Sequence, residues 1–168
     1  MRALTVRQPW AWAIFTPVRT SRIAAGIIDI RGESVKPTLK LWTFQIGAPP
    51  KRGEGLRIGA TRRPPRGVPK AMWQKDGYFD VWLPAIAPSA RLLDRYRRRD
   101  SDDPAIRRKF FRSYERELGQ TPARHAIQLL VALAKRTPIA VGCFCEDESR
   151  CHRSRLHKVM QRAALRRV

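Results

Sequence analysis

Hydrophobic positions in the first half of the chain follow the two-residue alternation of β-strands. Residues 39–46, LKLWTFQI, alternate and are rich in β-forming side chains, which predicts a strand. Residues 56–61, LRIGAT, predict a second strand. Residues 62–70, RRPPRGVPK, must form a loop because they contain three prolines and a glycine. The apolar segment 80–87 is interrupted by proline, so the first half predicts short strands joined by stiff loops.

The second half follows the helical period until one last apolar run. Four helices are predicted, with N-caps at Ser89 and Thr121 for the first and third: 90–98, a helix from Pro104 to Gly119, 121–136 and about 151–166. Residues 138–145, PIAVGCFC, are typical of a central parallel strand covered on both faces. This order predicts an α/β fold, a three-layer αβα arrangement with a small, mainly parallel sheet.

Length and composition fit one domain. The chain has 168 residues, 43% of them hydrophobic, which is enough for one core. Residues 1–36 show no clear period and are predicted to be a poorly defined N-terminal extension, whereas residues 37–168 form the single α/β domain. No apolar run reaches the roughly 18–20 residues that span a bilayer, and the N-terminus is unlike a signal peptide. We therefore expect a soluble, cytoplasmic protein without a membrane partner.

The charge of the chain is strongly positive. Lys plus Arg number 35 against 14 Asp plus Glu, a formal net charge of +21. Such a balance predicts attraction to polyanions, so non-specific nucleic-acid binding is one hypothesis. The basic residues are spread along the chain, and no helix-turn-helix, zinc-finger or aromatic RNA-binding motif accompanies them. A basic, solvated surface with no specific partner explains the charge equally well.

All three cysteines lie within nine residues, in the turn 142–153, GCFCEDESRCHR. An odd, clustered set predicts reduced cysteines, not a disulfide scaffold. The turn leads from a predicted parallel strand into a helix, and ligands of open parallel sheets bind at the carboxyl ends of strands. Free N–H groups at the helix start attract anions and, together with Arg153, favour the thiolate of Cys151.

Four interpretations of this turn stay open. The first is anion or nucleotide binding at Arg153 and the helix start. In the second, Cys151 or Cys145 is a nucleophile with His152 as base, although adjacent residues rarely point at each other. A weaker alternative is a metal site formed by Cys143, Cys145, Cys151 and His152. The spacing C-x-C-x5-C-H matches no usual structural zinc site. In the fourth, Cys143 and Cys145 are small core residues.

The proline-stiffened loop 62–70 is a second candidate. It could hold the guanidinium groups of Arg62, Arg63 and Arg66 toward an anion. Trp82 and Tyr114 complete the candidate ligand-binding residues, although packing explains both as well. We therefore predict a phosphate-bearing small molecule or nucleotide bound between this loop and the turn 142–153. The alternatives are a nucleic-acid-associated basic protein and a cysteine-based redox or metal module.

Four segments carry a family resemblance: TRRPPRGVPK, FDVWLPAIAPSARLLDRY, FFRSYEREL and AVGCFCEDESRCHRSRL. Together they resemble the bacterial family called domain of unknown function 488 over about residues 39–165. The resemblance implies a compact α/β fold and no established reaction. Carried over position by position, the recurrent residues of that family match Arg63, Pro65, Arg66, Gly67, Trp82, Ala87, Pro88, Ser89, Tyr114, Glu117, Leu118, Cys151, His152 and Arg153.

The first fourteen residues, MRALTVRQPWAWAI, carry a different resemblance. They are similar to the opening of ASCH domains, a small β-barrel fold associated with RNA-related roles. The agreement ends at about Phe15, and no following stretch supplies the rest of such a barrel. We interpret residues 1–36 as an extension that contains an ASCH-like remnant.

Overall fold

The structure of the protein, a computed structural model, describes residues 39–97 and 103–165. The strands in these ranges are β1 (Leu41–Gln45), β2 (Leu56–Gly59), β3 (Val81–Trp82) and β4 (Ile139–Cys143). The α-helices are α1 (Ala90–Arg97), α2 (Pro104–Leu118), α3 (Thr121–Ala134) and α4 (His152–Leu165). The predicted extension 1–36, with its ASCH-like start, lies outside the described residues. No helix in the described ranges is long and apolar enough to cross a membrane.

The four strands form one parallel sheet in the order β1-β4-β2-β3. Strand β4 pairs with β1 on one side and β2 on the other, and every residue of β4 is buried. The predicted central strand and the predicted α/β class with a parallel sheet are therefore confirmed. Because all strands run the same way, the loops after β2, β3 and β4 leave the sheet at the same edge.

The two faces of the sheet are covered differently. One core cluster joins residues of all four helices to the strand residues Leu41, Ile58, Ile139 and Val141. On the opposite face a smaller cluster of Phe44, Ile46, Phe79 and Ala140 packs against Trp73, Tyr78 and Trp82. In the described part of the chain this second layer is an aromatic loop with a short 3-10 helix, Lys70–Met72.

The helix starts agree with the sequence except at α3. The Ser89 hydroxyl accepts a hydrogen bond from the backbone N–H of Leu92 at 3.1 Å, as predicted for the N-cap of α1. The carboxylate of Glu117 accepts from the Ser89 backbone N–H at 2.9 Å, which anchors α1 to α2. The predicted N-cap Thr121 is wrong by one residue, because Gln120 is the cap and α3 begins at Thr121. Pro122 fits this start, since the first N–H groups of a helix have no intrahelical partner.

Replacing Gly142 by alanine is expected to destabilise the fold by about 1–3 kcal/mol through overpacking. Gly142 pairs with Phe44 across β1 and β4, and an added Cβ would overlap the ring of Phe44. Urea denaturation measures the change. The control is Gly119→Ala at the end of α2, where φ is −76° and the change should stay within about 0.5 kcal/mol. Equal stability of the two variants would contradict the packing described here.

Candidate functional site

A cleft of about 630 Å³ opens at the carboxyl edge of the sheet. Its walls come from the loop after β2, one side of α1 and the turn after β4. Two segments about 80 residues apart, the loop 62–70 and the turn 142–153, therefore meet at one cleft. This is the edge at which open parallel sheets bind ligands.

Three arginines of the predicted loop line the cleft, but they differ in what they contact. The guanidinium of Arg62 donates to the backbone oxygens of Pro88 at 2.9 Å and Ala87 at 2.8 Å. It therefore fixes the loop against the segment before α1. Arg63 and Arg66 are exposed, and neither has a hydrogen-bond or ion-pair partner among residues 39–97 and 103–165. These two side chains are available to a ligand.

Arg153, in the first turn of α4, is buried and supports the turn after β4. Its guanidinium donates to the backbone oxygens of Cys143 at 3.4 Å, of Glu146 at 2.9 Å and of Cys145. Three carbonyls of one turn thus share one cation, which fixes the path of the chain from β4 to α4. Arg153 is not among the residues that line the cleft, and its predicted contact with an anion stays a prediction.

Trp82 and Tyr114 also bind backbone oxygens and do not line the cleft. The indole N–H of Trp82 donates to the Thr61 carbonyl at 2.8 Å. The hydroxyl of Tyr114, which is fully buried, donates to the Ile86 carbonyl at 2.6 Å. Burial holds the pKa of Tyr114 well above its usual value, so the hydroxyl stays a donor. Both side chains position segments that form the walls, and their direct contact with a ligand remains a prediction.

The three cysteines converge at the cleft, which Cys143 and Cys145 line. Cys143 ends β4, Cys145 follows two residues later, and Cys151 directly precedes α4. Their sulfur atoms all lie within 4.8 Å of one another, and Sγ of Cys143 is 3.7 Å from Sγ of Cys145. Cys143 and Cys151 are buried, whereas Cys145 is exposed. The cluster thus has one open side.

His152 joins this cluster through one ring nitrogen. Its Nε2 lies 2.8 Å from the Ala60 backbone oxygen, and because a carbonyl only accepts, Nε2 carries the hydrogen. Nδ1 lies 3.8 Å from the sulfur atoms of both Cys143 and Cys151. Burial lowers the pKa of His152, which favours the neutral ring with a lone pair on Nδ1. The adjacent Cys151 and His152 do approach each other, because Cys151 lies before the first helical residue.

Contacts within the cluster direct negative charge toward Cys145. Hydrogen bonds from the thiols of Cys143 and Cys151 lower the pKa of Cys145. The pKa of Cys143 is raised by its hydrogen bond with Cys145, and the pKa of Cys151 is raised by contacts with the other two cysteines. The sequence favoured a thiolate at Cys151, whereas the cluster favours it at the exposed Cys145.

Sequence reasoning missed several residues that shape the site. The aromatic side chains of Tyr78 and Phe144 line the cleft, as does Arg97 from α1. Phe144 is the first residue after β4, and its place in the apolar run 138–145 made it look like part of the buried strand. The Ala60 carbonyl has no sequence signal, because any residue supplies the same backbone oxygen.

The fold and the site define a small parallel α/β protein with a basic loop and a cysteine–histidine turn at one sheet edge. A family model described as the active DUF488-N3 subclade, DUF488-N3a, matches residues 41–164. The chain belongs to the DUF488 family, which confirms the resemblance that the motifs carried. Comparison with curated proteins and with solved structures found no match to this chain.

Arg153→Lys is expected to lower the free energy of unfolding by about 1.5–3 kcal/mol, because one ammonium cannot replace the forked donors at three carbonyls. Urea denaturation measures the loss. The same variant should also expose the buried Cys151 to faster alkylation by iodoacetamide, which peptide mass spectrometry follows.

The control for this prediction is Arg162→Lys on the same helix. The Arg162 side chain is 60% exposed and forms one 3.5 Å ion pair with Glu115. Exposed pairs of this kind contribute at most about 1 kcal/mol, so the control should unfold almost as the unaltered protein does. If Arg153→Lys behaves like this control, Arg153 does not hold the turn.

Proposed function

We propose that the cleft binds a phosphate-bearing small molecule of the nucleotide class, and that Arg63 and Arg66 contact its phosphates. The observation that carries the proposal is the position of these two exposed guanidinium groups. They lie in one walled cleft with the turn after β4 and have no partner among the described residues. Guanidinium groups match phosphate oxygens with forked hydrogen bonds.

The size and lining of the cleft support a ligand larger than a phosphate ion. Its volume of about 630 Å³ falls within the range of about 300–1,000 Å³ that small-molecule sites occupy. Tyr78 and Phe144 offer aromatic surface for a planar base, and 42% of Phe144 is exposed. Asp94, on the α1 wall, offers an acceptor for a sugar hydroxyl or an amino group.

Net charge alone is a competing explanation. A chain with a formal charge of +21 attracts any polyanion, so weak binding to nucleotides or nucleic acid requires no cleft. The two explanations differ in their dependence on single residues. Binding at the cleft requires Arg63 and Arg66, whereas binding through net charge is reduced equally by the loss of any exposed arginine.

ADP is the probe for this proposal, and isothermal titration calorimetry at physiological salt gives its affinity. We expect saturable binding with one ADP per chain and a rise in the melting temperature that saturates with ADP. Arg63→Ala and Arg66→Ala should each weaken binding by about tenfold or more, because each removes a charge-assisted hydrogen bond.

Arg124→Ala is the matched control. Arg124 is an exposed arginine of α3 that does not line the cleft, and its loss changes the net charge by the same amount. It should leave ADP binding within about twofold of the unaltered protein. A fluorescein-labelled single-stranded oligonucleotide provides the comparison. If ADP does not saturate, or if all three variants lose affinity for ADP and oligonucleotide alike, binding follows net charge and the proposal is wrong.

A further inference from the structure

The cysteine cluster at the wall of the cleft brings three sulfur donors together from two segments. Cys143 and Cys145 come from the end of β4 and the residues after it, and Cys151 comes from the residue before α4. Their sulfur atoms all lie within 4.8 Å of one another. These are all the cysteines in the chain. Packing alone gives no reason for all three sulfur atoms to converge.

His152 supplies a nitrogen donor beside two of the three sulfur atoms. Nε2 is occupied by its 2.8 Å hydrogen bond to the Ala60 carbonyl, so the lone pair of Nδ1 is directed toward the sulfur atoms. Nδ1 lies 3.8 Å from both Cys143 and Cys151. A histidine that binds a metal through one ring nitrogen usually donates the other N–H to a carbonyl or carboxylate, which is the arrangement found here.

The spacing of the sulfur atoms fits a tetrahedral metal site. Zinc–sulfur bonds are about 2.3 Å long, so sulfur ligands at the corners of a tetrahedron lie about 3.8 Å apart. Sγ of Cys143 lies 3.7 Å from Sγ of Cys145, and Nδ1 of His152 lies 3.8 Å from Sγ of Cys143 and from Sγ of Cys151. The Arg153 backbone N–H also points at the Cys151 sulfur at 3.5 Å, a contact that stabilises a thiolate.

We propose that Cys143, Cys145 and Cys151 bind a soft divalent metal ion, of which Zn²⁺ is the probe, with Nδ1 of His152 as the fourth donor. Each thiol releases its proton to solvent when its sulfur binds the ion. The C-x-C-x5-C-H spacing is unusual for zinc, but the fold supplies the geometry by placing the strand end beside the helix start. The metal donors are different residues from Arg63 and Arg66, although Cys143, Cys145 and His152 also line the cleft.

The test measures metal binding by the full chain, kept reduced. Protein is stripped with a chelator and loaded with Zn²⁺ for elemental analysis, or with Co²⁺ for absorption spectroscopy. We expect one Zn²⁺ per chain after gel filtration. The Co²⁺ protein should show near-ultraviolet thiolate charge-transfer bands and intense visible bands typical of tetrahedral coordination.

Variants assign the ligands. Cys145→Ser, at the exposed cysteine, should fold normally and bind Zn²⁺ at least about 100-fold more weakly. His152→Gln should shift the visible Co²⁺ bands while keeping charge-transfer bands. The matched control is His157→Gln on the same helix, whose Nε2 lies 3.3 Å from the Leu41 carbonyl outside the cluster. This control should bind Zn²⁺ and Co²⁺ as the unaltered protein does.

Two results would overturn the metal site. One is reduced protein that retains neither ion after gel filtration. The other is full retention by both Cys145→Ser and Cys151→Ser, which would place the ion elsewhere. Calorimetry with ADP on metal-free and Zn²⁺-loaded protein keeps the two proposals separate. The variant Cys145→Ser is measured in the same way, because it should lose metal binding while Arg63 and Arg66 stay intact.

Discussion

The hydrogen bond from Nε2 of His152 to the Ala60 carbonyl, 2.8 Å long and buried, is the contact on which the site depends. It ties the first residue of α4 to the residue that follows β2, and so brings the turn 142–153 beside the loop 62–70. It also sets the histidine tautomer and directs Nδ1 toward the sulfur atoms. Losing the acceptor would leave a buried N–H unpaired, at a cost of about 1–3 kcal/mol, so the contact both stabilises the fold and orients the cluster.

The rest of the sheet allows this contact to form. Gly59 and Gly142 are paired neighbours on β2 and β4, and the rings of Phe79 and Phe44 lie where their side chains would be. The aromatic rings therefore pack closely on the two central strands, β2 and β4. The chain leaves both strands at neighbouring positions on the carboxyl edge of the sheet. Arg153 then fixes the turn through three carbonyls, and Arg62 fixes the facing loop through two. The exposed Arg63 and Arg66 and the open side of the cysteine cluster thus share one rigid edge.

The sequence predicted most of the elements and the sheet edge at which the cleft opens, because both follow from local patterns. The apolar run 138–145 indicated a central parallel strand, and the rule for carboxyl ends of strands located the cleft. The sequence could not predict contacts made by backbone atoms, such as the Ala60 carbonyl or the carbonyls that bind Arg153. The sequence also did not predict a contact between Cys151 and His152, since this contact requires Cys151 to lie before the first residue of the helix. The sequence predicted that both faces of the sheet are covered, but not that an aromatic loop covers one of them, because isolated aromatic residues in a loop have no period.

The most direct test of this account is the protonation of the His152 ring in solution. A long-range ¹H–¹⁵N correlation spectrum at pH 7 reports which nitrogen of each of the three histidines carries hydrogen, and loss of one set of signals in His152→Gln assigns this residue. The account predicts a neutral ring with hydrogen on Nε2, slow exchange of that hydrogen with water, and a bare Nδ1 whose signal shifts when Zn²⁺ is added. Hydrogen on Nδ1, or a ring that is doubly protonated at pH 7, would contradict it.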